Sequence, residues 1–288
     1  MNPDAKPDPV FQAAVPTAAT AAPPPTSAAA ARSGTAGALD AAIPDTPAAP
    51  GSLEALAQEL DREFAALSAD DRIRKAFALY GKELIATTSF GRDAGLLLHH
   101  LSRLKIDIRV FFIDTSFHFR ETLDYRDTLT SAFRLDLRES RSFEPDNRRY
   151  ARKVEGQNSF VAIADTKACC AINKVGVQAA FLGRADVKAF LTGLRRDQSD
   201  TRAHTPFVHV QKGKLKICPF ADWPANDVDL YLQVWEIPEH PLAKQGYSSI
   251  GCSPSTCTSK PVDPNDPRSG RWVGDAKTEC GLHLDYEP

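Results

Sequence analysis

From residue 52 onward the apolar positions fall into two alternating textures. Short, nearly unbroken apolar runs at 84–88, 109–113 and 189–193 read as strands buried on both faces. Between them, apolar residues recur every three or four positions, the spacing of a helical face. Ser52 is a candidate N-cap for a first helix whose stripe is Leu53, Leu56, Leu60 and Phe64. A second helix is expected over 71–80, stopping at Gly81, with later helices over 94–104, 120–133, 170–182 and 226–235. A weak strand is read at 135–137, a polar helix at 146–154, and a hairpin of 207–210 with 215–217 around Lys212-Gly213. Past Pro238 the chain is rich in proline and glycine and is expected to lie on the core as a loop-like tail. Strands alternating with amphipathic helices predict an α/β fold with a doubly wound, mostly parallel sheet and its ligand at the carboxyl ends of the strands.

Composition adds a boundary. Residues 1–51 are mostly alanine and proline with few large apolar side chains, so they cannot bury enough surface to offset ordering, and a disordered extension is expected. Scarce arginine, with Asp4, Asp8, Asp40 and Asp45, argues against a transit peptide. The expected organisation is that extension, an α/β domain over 52–250, and a C-terminal segment over 251–288. Of 288 residues 42% are hydrophobic and 25% charged, enough for a full-sized core. A net charge of −2 gives no general pull toward nucleic acid or an anionic membrane, and no apolar run reaches membrane-spanning length. Six cysteines, two of them adjacent, do not form the framework of a small secreted domain. They point to metal, cluster or redox chemistry in a reducing, cytoplasmic compartment.

Four stretches carry candidate chemistry. Ser89-Phe90-Gly91-Arg92-Asp93 sits between a strand and a helix, where backbone N–H groups face an anion. It lacks both the Gly-Lys-Ser/Thr ending of a Walker loop and the spacing of a dinucleotide turn. Arg195, Arg196 and Arg202 come after the strand at 189–193, and Arg268 and Arg271 lie in the tail; such forks suit phosphate or sulfate oxygens. Cys169-Cys170 and the pair Cys252 and Cys257 supply four thiols suited to an iron–sulfur cluster or a tetrahedral zinc, whereas Cys218 reads as structural. Cys280 stands in Glu279-Cys280-Gly281-Leu282-His283 near Lys277, cations that favour a thiolate nucleophile. A surface cysteine on a frayed terminus is an equal reading of that stretch by itself.

Together these motifs, including Thr192-Gly193-Leu194-Arg195-Arg196-Asp197-Gln198-Ser199 and Lys174 beside the double cysteine, resemble the bacterial assimilatory adenylyl-sulfate (APS) reductases. These are relatives of the PAPS reductases on the adenine-nucleotide α-hydrolase-like (HUP, PP-loop) fold. The resemblance covers most of the chain beyond the Ala/Pro extension. It implies that Cys280 attacks the sulfur of adenosine 5'-phosphosulfate, expels AMP and carries an S-sulfonate, with His283 in support. A thioredoxin or glutaredoxin thiol then releases sulfite, as in sulfate assimilation. It further implies substrate contacts from Ser89, Phe90, Gly91, Asp93, Lys174, Arg195, Arg196, Gln198, Arg202, Arg268 and Arg271. A [4Fe–4S] cluster is implied on Cys169, Cys170, Cys252 and Cys257. One departure is present: Ser255 stands where the family's second Cys-x-x-Cys cysteine is expected. Cys257-Thr258-Ser259-Lys260 nevertheless looks like the family's usual run from that cysteine onward, as though two residues were inserted. A PAPS reductase, an ATP-using adenylyltransferase and a non-enzymatic metal or redox sensor are the competing readings, and a homo-oligomer is compatible with any of them.

Overall fold

The computed structural model describes residues 51–142, 151–153, 160–162, 166–253, 257–263, 266–275 and 277–283. The chain divides into units 1–43 and 44–288, and every described residue lies in the second. The disordered extension expected over 1–51 therefore lies outside the described residues, Gly51 apart.

Helices α1 (Leu53–Ala65) and α2 (Ala69–Tyr80) begin at serine caps: Ser52 Oγ accepts from Ala55 N–H at 3.1 Å, and Ser68 Oγ from Asp71 N–H at 3.2 Å. Gly81, at φ +50°, ends α2 in a backbone conformation that a side chain resists. Then come β1 (Leu84–Thr88), α3 (Ala94–Arg103), β2 (Arg109–Ile113), α4 (Arg120–Phe133) and β3 (Asp136–Ser140). The weak strand expected at 135–137 is longer than its sequence suggests because it pairs along its whole length with β2.

The polar helix expected over 146–154 is a correction. Residues 151–153 form β4 (Ala151–Lys153), paired antiparallel with β5 (Phe160–Ala162), and the rest of that stretch lies outside the described residues. Strand pairing, invisible in a local pattern, decides it. Helix α5 runs from Thr166 to Leu182 and widens to π geometry over Ala171–Gly176. After β6 (Ala189–Thr192), β7 (Val208–Gln211) and β8 (Lys214–Ile217) form the expected hairpin. Lys212 and Gly213, both at positive φ, close it as a two-residue turn whose twist matches the strands. Helix α6 (Ala225–Val234) completes the core, and beyond it the described residues hold a single 3₁₀ turn, Ala243–Gln245.

The sheet order is β3-β2-β1-β6-β8-β7, parallel except for the β7–β8 pair. Burial on both faces explains the unbroken apolar runs. Leu84 and Ala86 of β1, Val110 and Phe112 of β2, and Ala189 and Leu191 of β6 enter the larger core with α1 to α4 and α6. Ile85, Phe111 and Phe190, one residue out of phase, pack on the other face against Phe181 and Leu182 of α5. The doubly wound, mostly parallel α/β expectation holds. The chain winds to one side from β1 and to the other from β6, so a crevice opens at the carboxyl ends of these neighbours. No described helix is long and apolar enough to cross a membrane.

Candidate active site

That crevice is a cleft of about 240 Å³. Ser89, Gly91 and Asp93 line one side, Lys174 and Gln178 of α5 another, and the tail closes it with Arg268, Arg271, Glu279, Cys280 and His283. The turn after β1 is pinned by Phe90, which holds φ +47° with its ring fully buried, edge-on to Phe112 at 5.3 Å. Phe90 is thus an anchor in the core and not part of the cleft lining, and it turns the flanking Ser89 and Gly91 toward the cleft.

The arginine run after β6 divides by role. Arg195 is buried, its Nη1 2.7 Å from Asp93 Oδ2 and its Nε 3.0 Å from Asp197 Oδ1. Arg196 donates Nε–H to the Thr205 carbonyl at 2.8 Å and lies over the Phe207 ring. Neither lines the cleft; Gln198 and Arg202 do. Arg202 reaches Gln198 Oε1 at 2.6 Å and grips Glu279 with Nε at 2.8 Å and Nη2 at 2.9 Å.

In the tail, Arg271 donates Nε–H to the Cys257 carbonyl at 2.7 Å and Nη1–H to Ser249 Oγ at 3.2 Å, and its guanidinium lies against Gly251. A Cβ on Gly251 would approach Arg271 Cζ to 2.7 Å, so the close approach requires glycine. Burial and the nearby Arg202 bring the Arg268 pKa down to about 10, which leaves it cationic at neutral pH. Trp272, 2% exposed, collects these cations: Arg271 lies 4.5 Å, Lys277 5.3 Å and Arg268 5.8 Å from its ring.

Cys280 is half-buried at the cleft. Lys174, buried in the π turn, loses charge preference to burial but regains more from its electrostatic interactions with Cys252, Cys170 and Cys280, so its pKa is raised. The two cations that the sequence sets beside Cys280 behave differently. Lys277 donates to the Thr166 carbonyl at 2.9 Å, tying the tail to the start of α5. Burial, then Lys216, Arg202 and Arg268, drives the His283 pKa well below the imidazole range, so this ring is neutral.

Cys169, Cys252 and Cys257 gather around Phe117, with Cys170 buried alongside Cys169. Asn173 Nδ2 donates to Cys169 Sγ at 3.4 Å, and Thr115 Oγ1 lies 3.3 Å from Cys252 Sγ. Burial, with the neighbouring thiols, pushes Cys169 up to about 11. In number and softness these donors fit a thiolate-ligated iron–sulfur group. Among the described residues, however, no three His, Cys, Asp or Glu side chains converge as a metal site. Cys218 is fully buried in the larger core, as expected of a structural thiol. Sequence reasoning did not assign Glu279 or Trp272: Arg202, the main partner of Glu279, is distant in the chain, and the cations around Trp272, though near it in sequence, show no periodic pattern that marks a cluster.

The phosphoadenosine phosphosulfate reductase domain model matches residues 83–258. This chain belongs to that family. The adenosine 5'-phosphosulfate reductase of Mesorhizobium japonicum is 40% identical over 73% of this chain and 80% of its own length. That of Shouchella clausii is 37% identical over 74% and 86%. The phosphoadenosine 5'-phosphosulfate reductase of Gloeobacter violaceus is 35% identical over 78% and 92%. In fold the chain is similar to the Candida auris phosphoadenylyl-sulfate (PAPS) reductase, solved as a phosphate complex, at a TM-score of 0.57 and 24% identity over 68% of this chain and 93% of that one. The family match covers the turn after β1, the double cysteine and the arginine run; Arg268, Arg271 and Cys280 lie beyond it.

Proposed function

We propose that the chain reduces adenosine 5'-phosphosulfate to sulfite and AMP, with Cys280 as nucleophile. The observation that carries this reading is the thiol's position: Cys280 opens onto the same cleft as Lys174, Arg202, Arg268 and Arg271, beside the Ser89–Gly91 turn. The Cys280 thiolate attacks the sulfur and forms an S–S bond, while the S–O bond to phosphate breaks and its electron pair leaves on AMP. The guanidiniums and Lys174 stabilise the growing phosphate charge. A thiolate of a dithiol protein of the thioredoxin or glutaredoxin class then attacks the Cys280 sulfur and displaces sulfite. Its second thiol returns Cys280 to the reduced state, so the dithiol supplies both electrons. Neutral His283 suits a hydrogen-bonding role rather than a charged one. Arg195 and Asp93 brace the substrate loops, and Phe90 and Arg196 act behind the cleft.

Cys169, Cys170, Cys252 and Cys257 would hold a [4Fe–4S] cluster, which would supply a fixed charge next to Lys174. The choice of the unphosphorylated nucleotide over its 3'-phosphorylated relative rests on the resemblance, in which that four-thiol set goes with APS, and is supported by the similarity to adenosine 5'-phosphosulfate reductases. The protein is read as cytoplasmic, in sulfate assimilation. The deciding experiment incubates the enzyme with APS carrying radiolabelled sulfur, without reductant, and maps the label. Label on Cys280, absent in Cys280→Ser, is expected. Sulfite formed with thioredoxin but never a labelled Cys280 would remove the mechanism, and sulfite formed from PAPS alone would reverse the substrate choice.

A further inference from the structure

A cleft of about 240 Å³ is far too small for a protein reductant, yet the sulfur that must meet one is half-buried inside it. Something must hold the tail in and then let it go. The residue before Cys280 has the contacts for this. The Glu279 carboxylate is 5% exposed; Oε1 accepts from Arg202 Nε at 2.8 Å and from Thr201 Oγ1 at 3.3 Å. Oε2 accepts from Arg202 Nη2 at 2.9 Å and pairs with Arg268 Nη2 at 3.2 Å, and the same Arg268 donates to the Thr278 carbonyl at 3.0 Å. Glu279 is thereby fixed to the loop after β6, and Arg268, within the tail, holds both Glu279 and the preceding Thr278.

We propose that Glu279 is the latch of the C-terminal segment: its ion pairs with Arg202 and Arg268 seat Cys280 in the cleft, and their release exposes that sulfur to a protein thiol. The inference rests on the reading of Cys280 as nucleophile. Glu279 is a positioning residue, one peptide unit from the reacting atom, so a shift in its carboxylate moves the sulfur directly. Arg202 is itself held by Gln198, whose Oε1 also accepts from the Arg195 N–H at 3.2 Å. The latch therefore closes against a braced loop and not a free side chain. A buried carboxylate between two guanidiniums is stable when closed and costly when half-open, which makes the segment either in or out.

Alkylation by iodoacetamide, mapped at the Cys280 peptide in the full chain, measures release without turnover. Glu279→Gln keeps the shape and loses the charge. It should raise the rate at Cys280 about tenfold, as expected for lost hydrogen bonds between charged groups, with Glu279→Asp intermediate. AMP affinity should stay within about twofold while the single-turnover rate of S-sulfonate formation falls about tenfold, a split that a folding defect would not produce. Equal alkylation in wild type and Glu279→Gln overturns the latch, as does a loss of AMP affinity matching the loss of rate. If Glu279→Gln does not fold, Thr201→Val decides: faster alkylation supports the latch and an unchanged rate overturns it. A rise in alkylation in a chain that never forms the S-sulfonate keeps the latch and removes the proposed activity; the converse removes the latch alone.

Discussion

Asp93 Oδ2 lies 2.7 Å from Arg195 Nη1, joining the turn after β1 to the loop after β6 across the switch point of the sheet. With the Arg195 side chain 3% exposed, this pair is a brace between the two loops that shape the cleft. Removing one partner leaves a buried charge. Arg195→Gln is expected to cost about 3–5 kcal/mol in urea unfolding, and adding Asp93→Asn should recover part of it. A stable Arg195→Gln with weakened nucleotide binding would instead make Arg195 a substrate ligand.

Gly251→Ala tests the seat of Arg271. The added methyl drives the guanidinium off the glycine and strains its bonds to Ser249 and Cys257. Titration of AMP should show about tenfold weaker binding, close to that of Arg271→Ala, with little change in melting temperature. Unaltered affinity in both would place the leaving phosphate elsewhere.

Cys257 can be separated from Cys218 by iron content. Cys257→Ser, purified anaerobically, should lose most of its iron and acid-labile sulfide, whereas Cys218→Ala, altered deep in the core, should retain both. Full iron in Cys257→Ser would leave the fourth ligand to another residue.

Acid stability has a definite sign at Asp70. Burial opposes its ionisation, but hydrogen bonds from His100 at 2.7 Å and Arg103 at 2.6 Å hold its pKa at about 2. His100, whose own pKa is lowered by burial, is neutral at pH 7, so Arg103 is the cation of the group. A depressed carboxylate contributes stability above its unfolded pKa of roughly 3.9 and loses it as pH falls toward 2. Asp70→Asn should cost about 2 kcal/mol at pH 7 and flatten the acid limb of the stability curve between about pH 4 and 2. An unchanged limb would show that the pair forms equally in the unfolded chain.

Much of the architecture was legible because burial on both faces of a parallel sheet writes itself as unbroken apolar runs, as in 84–88 and 189–193. The turn of Ser89 and Gly91, the hairpin at Lys212-Gly213 and the grouping of cysteines came from residue type. What the sequence could not decide depended on partners distant in the chain. The apparent helix at 151–153 became a strand by pairing with Phe160–Ala162. Phe90, in the middle of the turn expected to bind substrate, turned into the core because a positive φ aims its ring at Phe112. Neighbouring arginines parted, Arg195 to Asp93 and Arg196 to Phe207, because a loop after a strand sends successive side chains to opposite sides. Residue type by itself thus determined which groups the chain carries: thiols, guanidiniums and a glycine-containing turn between a strand and a helix. Only the tertiary structure decided which charges face the cleft and which, like Glu279 and Arg202, are paired, because charge pairing depends on distance in space and burial, and neither is recorded in local order along the chain.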